Sequence, residues 1–150
     1  MQVPTLVLDD GRALAESNAI LWYLGLGTPY LPDEDFERAK VLQWMFFEQY
    51  SHEPNLAVVR YWVSIAPATS PRESVLEARR KAGYEALDAM ERELATRQFL
   101  VAERYTIADI ALYAYTHVAD EGGFDLAAYP AINRWLDRVA AQPGHVPITA

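Results

Sequence analysis

The alternation of hydrophobic and polar residues divides the chain into a short β-rich start and a long helical remainder. Val3 to Leu8 is rich in β-forming residues, and Asp9-Asp10-Gly11 follows with the chemistry of a turn. Arg12 to Ala15 then reads as a returning strand, so we predict a hairpin. Two strands do not form a stable sheet alone, and the outer edge of the hairpin is therefore expected to need a partner.

Helical periodicity begins at Ser17, which has the chemistry of an N-cap residue. A linker is predicted over Pro29 to Asp33, and a long aromatic-rich helix over Glu34 to Ser64. Pro54 interrupts that helix, because a proline inside a helix removes a hydrogen bond and forces a kink. Further helices fill the rest of the chain.

Thr106 and Asp109 have the spacing of a capping box at the start of a helix that is apolar on nearly every face. We expect these two residues to be structural, with the cap contributing about 1 kcal/mol. An acid–base role for Asp109 is the less favoured alternative.

Composition excludes several classes of protein. The 150 residues are 51% hydrophobic and carry 13 Lys and Arg against 21 Asp and Glu, a formal net charge of −8. That balance disfavours nucleic acid as a partner, because phosphate binding needs clustered basic residues. The chain has no cysteine, so it has no disulfide or thiolate metal site, and no metal set is evident among its histidines and acids. No segment has the length of a membrane span, and we expect a cytoplasmic protein without a membrane partner.

Three segments in order and in register carry a resemblance. They are Val3-Pro4-Thr5-Leu6 with Glu16 to Ile20, then Glu48 to Trp62, then Phe99 to Asp109. Together they resemble glutathione S-transferases of the bacterial type over most of the chain. The resemblance implies a mainly α protein with three parts: a partial thioredoxin-like glutathione-binding domain (β-β-α) at 1–28, a linker at 29–33 and an all-helical C-terminal domain at 34–150.

The chain departs from the family pattern at its start. Members begin with a strand-helix-strand unit before the Val-Pro position, and the turn after their first strand supplies a catalytic Tyr, Ser or Cys. Here Met1 stands two residues before Val3, so we expect that unit to be absent and the catalytic residue to lie upstream of Met1. A smaller departure is Ala102, where the family often has glycine.

The resemblance assigns glutathione binding to Val3, Pro4, Glu16 and Ser17. A cis Val3–Pro4 bond is implied, although an ordinary trans proline is the commoner case. The hydroxyl of Ser17 and the free N–H groups of its helix suit the γ-glutamyl carboxylate, and Glu16 suits the ligand's ammonium. The alternative is a plain N-cap preceded by a surface acid.

The pocket for the second substrate is expected at Tyr50, His52 and Arg60 on the long helix, with Arg60 holding the glycyl carboxylate. The alternative is that residues at this spacing belong to the core or to a subunit interface.

The predicted function is conjugation of the glutathione thiolate to a small hydrophobic electrophile, with glutathione as substrate and no metal. A homodimer is expected, since the family dimerises through this part of the chain. The alternative function is a non-catalytic binding or scaffold protein on the same fold. A third possibility is that another chain completes the sheet at the exposed edge of Val3 to Leu8.

Overall fold

The hairpin is shorter than its β-rich sequence. A computed structural model of the chain describes residues 3–146 and 148, and in it strand β1 covers Thr5–Val7 and strand β2 covers Ala13–Ala15. The strands are antiparallel, with Leu6 opposite Leu14. Gly11 closes the turn at a φ of 85°, in the left-handed region that glycine adopts without a steric penalty.

Helix α1 covers Ser17–Gly25, and its start differs from the sequence prediction. The cap position is occupied by Glu16, whose side chain makes no capping hydrogen bond, and Ser17 is the first helical residue. The prediction of Ser17 as the N-cap was therefore wrong by one position. The backbone of Glu16 has a φ of 71° and a ψ of 115°, which are not helical angles. Glu16 therefore takes the cap position, and the helix begins at Ser17.

The long helical run contains two π-helical turns. Helix α2 covers Asp35–Phe47, a first π turn covers Glu48–His52, and helix α3 covers Glu53–Arg60. A second π turn, Tyr61–Ile65, precedes a short 3₁₀ turn at Pro67–Thr69. The interruption predicted at Pro54 thus takes the form of a widened turn just before the proline, which has no N–H for the preceding carbonyls.

Three further helices complete the fold. Helix α4 covers Glu73–Leu94, helix α5 covers Ile107–Thr116, and helix α6 covers Pro130–Ala140, with a 3₁₀ turn at Ala119–Gly122 between the last two. The mainly helical class predicted from the sequence, with a small hairpin before it, is confirmed. In the part of the chain that the structure describes, no helix has the length and apolarity needed to cross a membrane.

The core lies among α2 to α6. Trp135, Leu112, Met90 and Val59 are fully buried in it. Gly83 is on the buried stripe of α4. Its close neighbour is mainly the ring of Phe124 in a loop rather than another helix, since a Cβ at position 83 would lie 2.6 Å from that ring and 3.3 Å from Leu56.

Candidate functional site

One cavity gathers the four residues predicted to bind glutathione. It has a volume of about 210 Å³ and lies where the residues beside the hairpin and the start of α1 meet the first π turn, the start of α3 and α5. Its lining consists of Val3, Pro4, Glu16, Ser17, Glu48, Gln49, Glu53 and Tyr115. A second cavity of about 310 Å³ shares Pro4, Ser17, Glu48 and Tyr115 with the first and is otherwise mostly apolar.

The hairpin supplies the first edge of the cavity. Val3 is 89% exposed, and its peptide bond to Pro4 is cis, as the resemblance implied. Glu16 follows β2 with a positive φ that non-glycine residues rarely adopt. Strained backbone of this kind clusters at functional sites, which favours a role for Glu16 beyond that of a surface acid.

Helix α1 aims its N-terminus at the same cavity. Ser17 is exposed, and among the described residues its hydroxyl has no protein partner. The first N–H groups of a helix have no intrahelical acceptors and carry a partial positive charge. The start of α1 is therefore suited to a carboxylate, even though Ser17 is inside the helix rather than its cap.

Glu48 joins α1 to the first π turn. Its side chain is nearly buried, with the residue 3% exposed, and its Oε2 accepts hydrogen bonds from Asn18 Nδ2 at 3.0 Å and Gln49 Nε2 at 2.8 Å. Asn18 Nδ2 also donates to the carbonyl of Met45 at 2.9 Å. Burial raises the pKa of the Glu48 carboxyl above its usual value, and the two hydrogen bonds oppose that rise.

Glu53 and Tyr115 complete the polar lining. Burial raises the pKa of Glu53. The pKa of the Tyr115 phenol is raised first by burial and then by the negative charges of Glu53 and Glu48. Tyr115 is therefore a neutral hydrogen-bond donor near neutral pH.

The lining is acidic. Glu16, Glu48 and Glu53 contribute three carboxyl groups, and the described residues of the lining include no Lys or Arg. Such a site favours the ammonium of a ligand, while a ligand carboxylate has to rely on the N-terminus of α1.

The prediction that His52 lines an open pocket was wrong. His52 is fully buried, and its Nε2 lies 2.8 Å from the hydroxyl oxygen of Thr116. Burial lowers the pKa of His52 to about 3, so the imidazole is neutral. It faces the core because the π turn changes the rotation that an uninterrupted α-helix would have.

Arg60 and Tyr50 also lie outside the 210 Å³ cavity. The guanidinium of Arg60 forms an ion pair with Glu121, with 2.7 Å between Nε and Oε2, and is not among the residues that line the cavity. It is therefore not placed to hold the glycyl carboxylate as predicted. Tyr50 is 86% exposed and lines none of the cavities described above.

The capping box of Thr106 and Asp109 is confirmed. The carboxylate of Asp109 accepts hydrogen bonds from the Thr106 N–H at 2.9 Å and the Thr106 hydroxyl at 3.0 Å. It also accepts from the Leu100 N–H at 3.0 Å and from Trp135 Nε1 at 2.9 Å. Both residues are buried in the core away from the cavity, so their role is structural.

Sequence reasoning missed Glu48, Gln49, Glu53 and Tyr115 as lining residues. The two glutamates are five apart in sequence, and an α-helical reading places them on different faces. Tyr115 lies on a helix that is apolar on nearly every face, where an aromatic residue is normally core. Its position next to the cavity depends on how α5 packs, which the local sequence does not encode.

A larger, mainly apolar groove of about 760 Å³ lies between β2, α1 and α2, and it shares Glu16 and Gln49 with the 210 Å³ cavity. Its apolar lining residues are Leu14, Ala19, Trp22, Tyr23, Leu26, Leu42, Met45 and Phe46. Among the described residues, no group of three or more His, Asp or Glu side chains is placed to hold a metal ion.

Known proteins resemble this chain over nearly its whole length. The disulfide-bond oxidoreductase YfcG of Escherichia coli (strain K12) is 32% identical over 149 residues, which cover 95% of this chain and 68% of YfcG. A crystal structure of a glutathione S-transferase from Xanthobacter autotrophicus Py2 superimposes with a TM-score of 0.94 at 52% identity, covering 98% of this chain and 72% of that one.

A glutathione S-transferase from a sphingomonad, solved in complex with glutathione, has a TM-score of 0.79 at 29% identity and covers 95% of this chain and 69% of its own. The family model for the glutathione S-transferase C-terminal domain matches residues 39–143. The chain thus shares the helical domain and the overall fold of these proteins, and it belongs to the glutathione S-transferase family.

Proposed function

We propose that this protein binds glutathione in the 210 Å³ cavity and takes part in its conjugation to small hydrophobic electrophiles. The observation that carries the proposal is that Val3, Pro4, Glu16 and Ser17, which the family resemblance singles out, line one cavity. The solved complex of a related glutathione S-transferase with glutathione supports the choice of ligand.

Three parts of glutathione have a matching group in this cavity. The γ-glutamyl carboxylate is expected at the N–H groups and hydroxyl of Ser17, and the ammonium at Glu16. The exposed backbone of Val3 is expected to pair with the cysteinyl part. In conjugation the thiolate forms a bond to the electrophilic carbon, whose leaving group departs with the bonding electrons, and the thiol proton passes to solvent.

Activation of the thiol needs a hydrogen bond or a positive charge directed at the sulfur. We keep the prediction that this group comes from a segment preceding Val3, as in the family pattern. The division into parts at 1–28, 29–33 and 34–150 and the cytoplasmic location also stay predictions.

A non-catalytic glutathione-binding or scaffold role is the second candidate. It is favoured by the acidic lining and by the ion pair that holds Arg60 at Glu121, because the described lining then offers no cation for either carboxylate of glutathione. Binding without turnover separates this candidate from the first.

We further propose a homodimer that buries the 760 Å³ apolar groove of α1 and α2 against a second copy. Phe46 at 70%, Leu26 at 53% and Tyr23 at 43% exposure would leave a contiguous apolar surface in a monomer. Patches of that kind usually mark interaction sites.

The test is a calorimetric titration of glutathione into the full chain, followed by a turnover assay with chlorodinitrobenzene. We expect saturable binding that Glu16→Ala and Ser17→Ala each weaken about tenfold, since each removes a charge-assisted contact. Glu77→Ala and Ser70→Ala are the matched surface controls and should leave binding unchanged.

The outcomes separate the candidates. Binding with measurable conjugate formation supports the transferase. Binding without conjugate formation supports the non-catalytic role. If millimolar glutathione produces no saturable heat, the proposed site is wrong.

A further inference from the structure

The first π turn changes which residues share a face of the long helical run. In an α-helix, residues five apart are rotated by about 140° from one another. Here the backbone N–H of Glu53 donates to the carbonyl of Glu48, which is the hydrogen bond of a π turn. That bond places Glu48 directly below Glu53, and both side chains line the 210 Å³ cavity.

Local chemistry explains why the helix widens at this point. Pro54 has no N–H to donate, and its ring crowds the carbonyl four residues earlier. The side-chain amide of Asn55 donates to the carbonyl of Ser51 at 2.6 Å and so satisfies an acceptor of the widened turn. These contacts permit a π turn, but they do not fix its position relative to the rest of the cavity.

His52 anchors the turn to α5. It is the last residue of the π turn and fully buried, and its Nε2 lies 2.8 Å from the Thr116 hydroxyl oxygen. The Thr116 hydroxyl already donates its only proton to the carbonyl of Leu112, at 2.7 Å. The imidazole must therefore donate through its Nε2–H, as a neutral ring.

Thr116 directly follows Tyr115, which lines the cavity from α5. The same π turn contacts α1 at its other end, where Glu48 accepts the hydrogen bond from Asn18, next to Ser17. One five-residue turn therefore connects both helical walls of the cavity.

We propose that His52 is a positioning residue of this cavity: by donating to Thr116 it fixes the pair Glu48 and Glu53 relative to Tyr115. The identity of the ligand rests on the proposed function, whereas the positioning itself does not. His52 does not contact the ligand and acts through Glu48 at the start of its turn and Glu53, the residue that follows it.

The binding test compares isosteric and conservative variants of both partners. Thr116→Val keeps the shape but removes the acceptor, and His52→Met fills the space without a donor. Each should weaken glutathione binding about fivefold, the size of one net hydrogen bond. Thr116→Ser and His52→Gln keep the bond and should restore binding to within about twofold of the unaltered protein.

A matched control separates positioning from loss of stability. Val59 is fully buried in the neighbouring helix α3 and does not line the cavity. Val59→Ala should destabilise the protein but leave the dissociation constant of glutathione unchanged. The double variant His52→Met with Thr116→Val should bind no more weakly than either single variant, because both remove the same bond.

A second readout needs no ligand. Amide hydrogen exchange at Glu53 reports the π-turn hydrogen bond to Glu48. Relative to Val59→Ala, exchange at Glu53 should be about fivefold faster in Thr116→Val and unchanged in Thr116→Ser. Absence of glutathione binding in the unaltered protein would overturn the proposed function alone, and exchange would still decide the inference. Unchanged exchange at Glu53 in Thr116→Val and His52→Met, or no rescue by the conservative variants, would overturn the positioning role.

Discussion

The imidazole of His52 is enclosed in the folded protein but faces water in the unfolded chain. Its pKa falls from 6.5 to about 3 on folding because burial disfavours the charged ring. Between these values the unfolded chain binds a proton that the folded protein does not. His52 therefore contributes fully to stability above its unfolded pKa, and this contribution is lost as the pH falls below it.

We expect the free energy of unfolding to fall more steeply from about pH 7 to about pH 5 in the natural protein than in His52→Gln, by up to about 1.4 kcal/mol per pH unit. Urea unfolding at several pH values measures this difference. His145→Gln is the control, because that imidazole is only half-buried. Equal slopes for the natural protein and His52→Gln would show that His52 is not buried as a neutral ring.

Single residues also show where sequence reasoning stops. The grouping of Val3, Pro4, Glu16 and Ser17 around one cavity could be predicted because these residues are close in sequence and form a recognisable pattern. His52 and Arg60 were misplaced because their partners, Thr116 and Glu121, are 64 and 61 residues away. Such pairings depend on packing, and an α-helical pitch was assumed across a segment that contains π turns.

At the scale of elements, Asp109 connects the start of α5 to the preceding loop and to α6. Asp109→Ala would leave the Leu100 N–H and Trp135 Nε1 buried without acceptors. Each unsatisfied donor costs about 1–3 kcal/mol, so we expect a loss of at least about 2 kcal/mol in unfolding free energy. Chemical denaturation measures it. The exposed Asp137→Ala should change stability by less than about 0.5 kcal/mol, and a similarly small effect for Asp109 would contradict the network.

The packing of helix α4 against Phe124 requires a residue without a side chain at Gly83. Gly83→Ala raises helix propensity by about 1 kcal/mol, but its Cβ would lie 2.6 Å from the buried Phe124 ring. Overpacking of this kind costs about 1–3 kcal/mol, so we expect a net loss of stability in thermal and urea unfolding.

The control is the same change in a Phe124→Leu background, where the clash is removed. There Gly83→Ala should be neutral or stabilising. Equal destabilisation in both backgrounds would mean that Phe124 is not the obstacle.

The order and class of the elements could be predicted from the sequence because periodicity and capping are local. The 107–116 helix has both signals, and its capping box was confirmed. The π turns could not be predicted, since no residue pattern distinguishes them from α-helix without the contacts that hold them. Ala102 is a further case: its φ of 55° shows why glycine suits this position, but the sequence alone showed only a departure from a pattern.

At the scale of the whole molecule, the apolar groove of α1 and α2 predicts self-association. Phe46→Glu puts a charge into the groove and should convert a dimer into a monomer at micromolar concentration, because a buried unpaired charge is costly. Analytical ultracentrifugation measures the change. Phe36→Glu is the matched control, since Phe36 lies on the same helix and is 67% exposed but does not line the groove. A natural protein that sediments as a monomer would contradict the proposed dimer.

The π turn Glu48–His52 has a consequence for how this chain tolerates changes of length. Because its hydrogen bond spans five residues instead of four, the turn contains one residue more than an α-helical turn. Removing one residue, such as the outward-facing Tyr50, would let the helix close into regular α geometry. A four-residue α-helical turn and a five-residue π turn advance the chain by nearly the same rotation, so α3 would keep roughly its orientation relative to α2. The same deletion inside α3 would rotate everything after it by about 100° and shift it by about 1.5 Å. A deletion in this turn is therefore expected to unfold the protein less than a deletion inside α3, but it would change the relative placement of Glu48 and Glu53 in the 210 Å³ cavity.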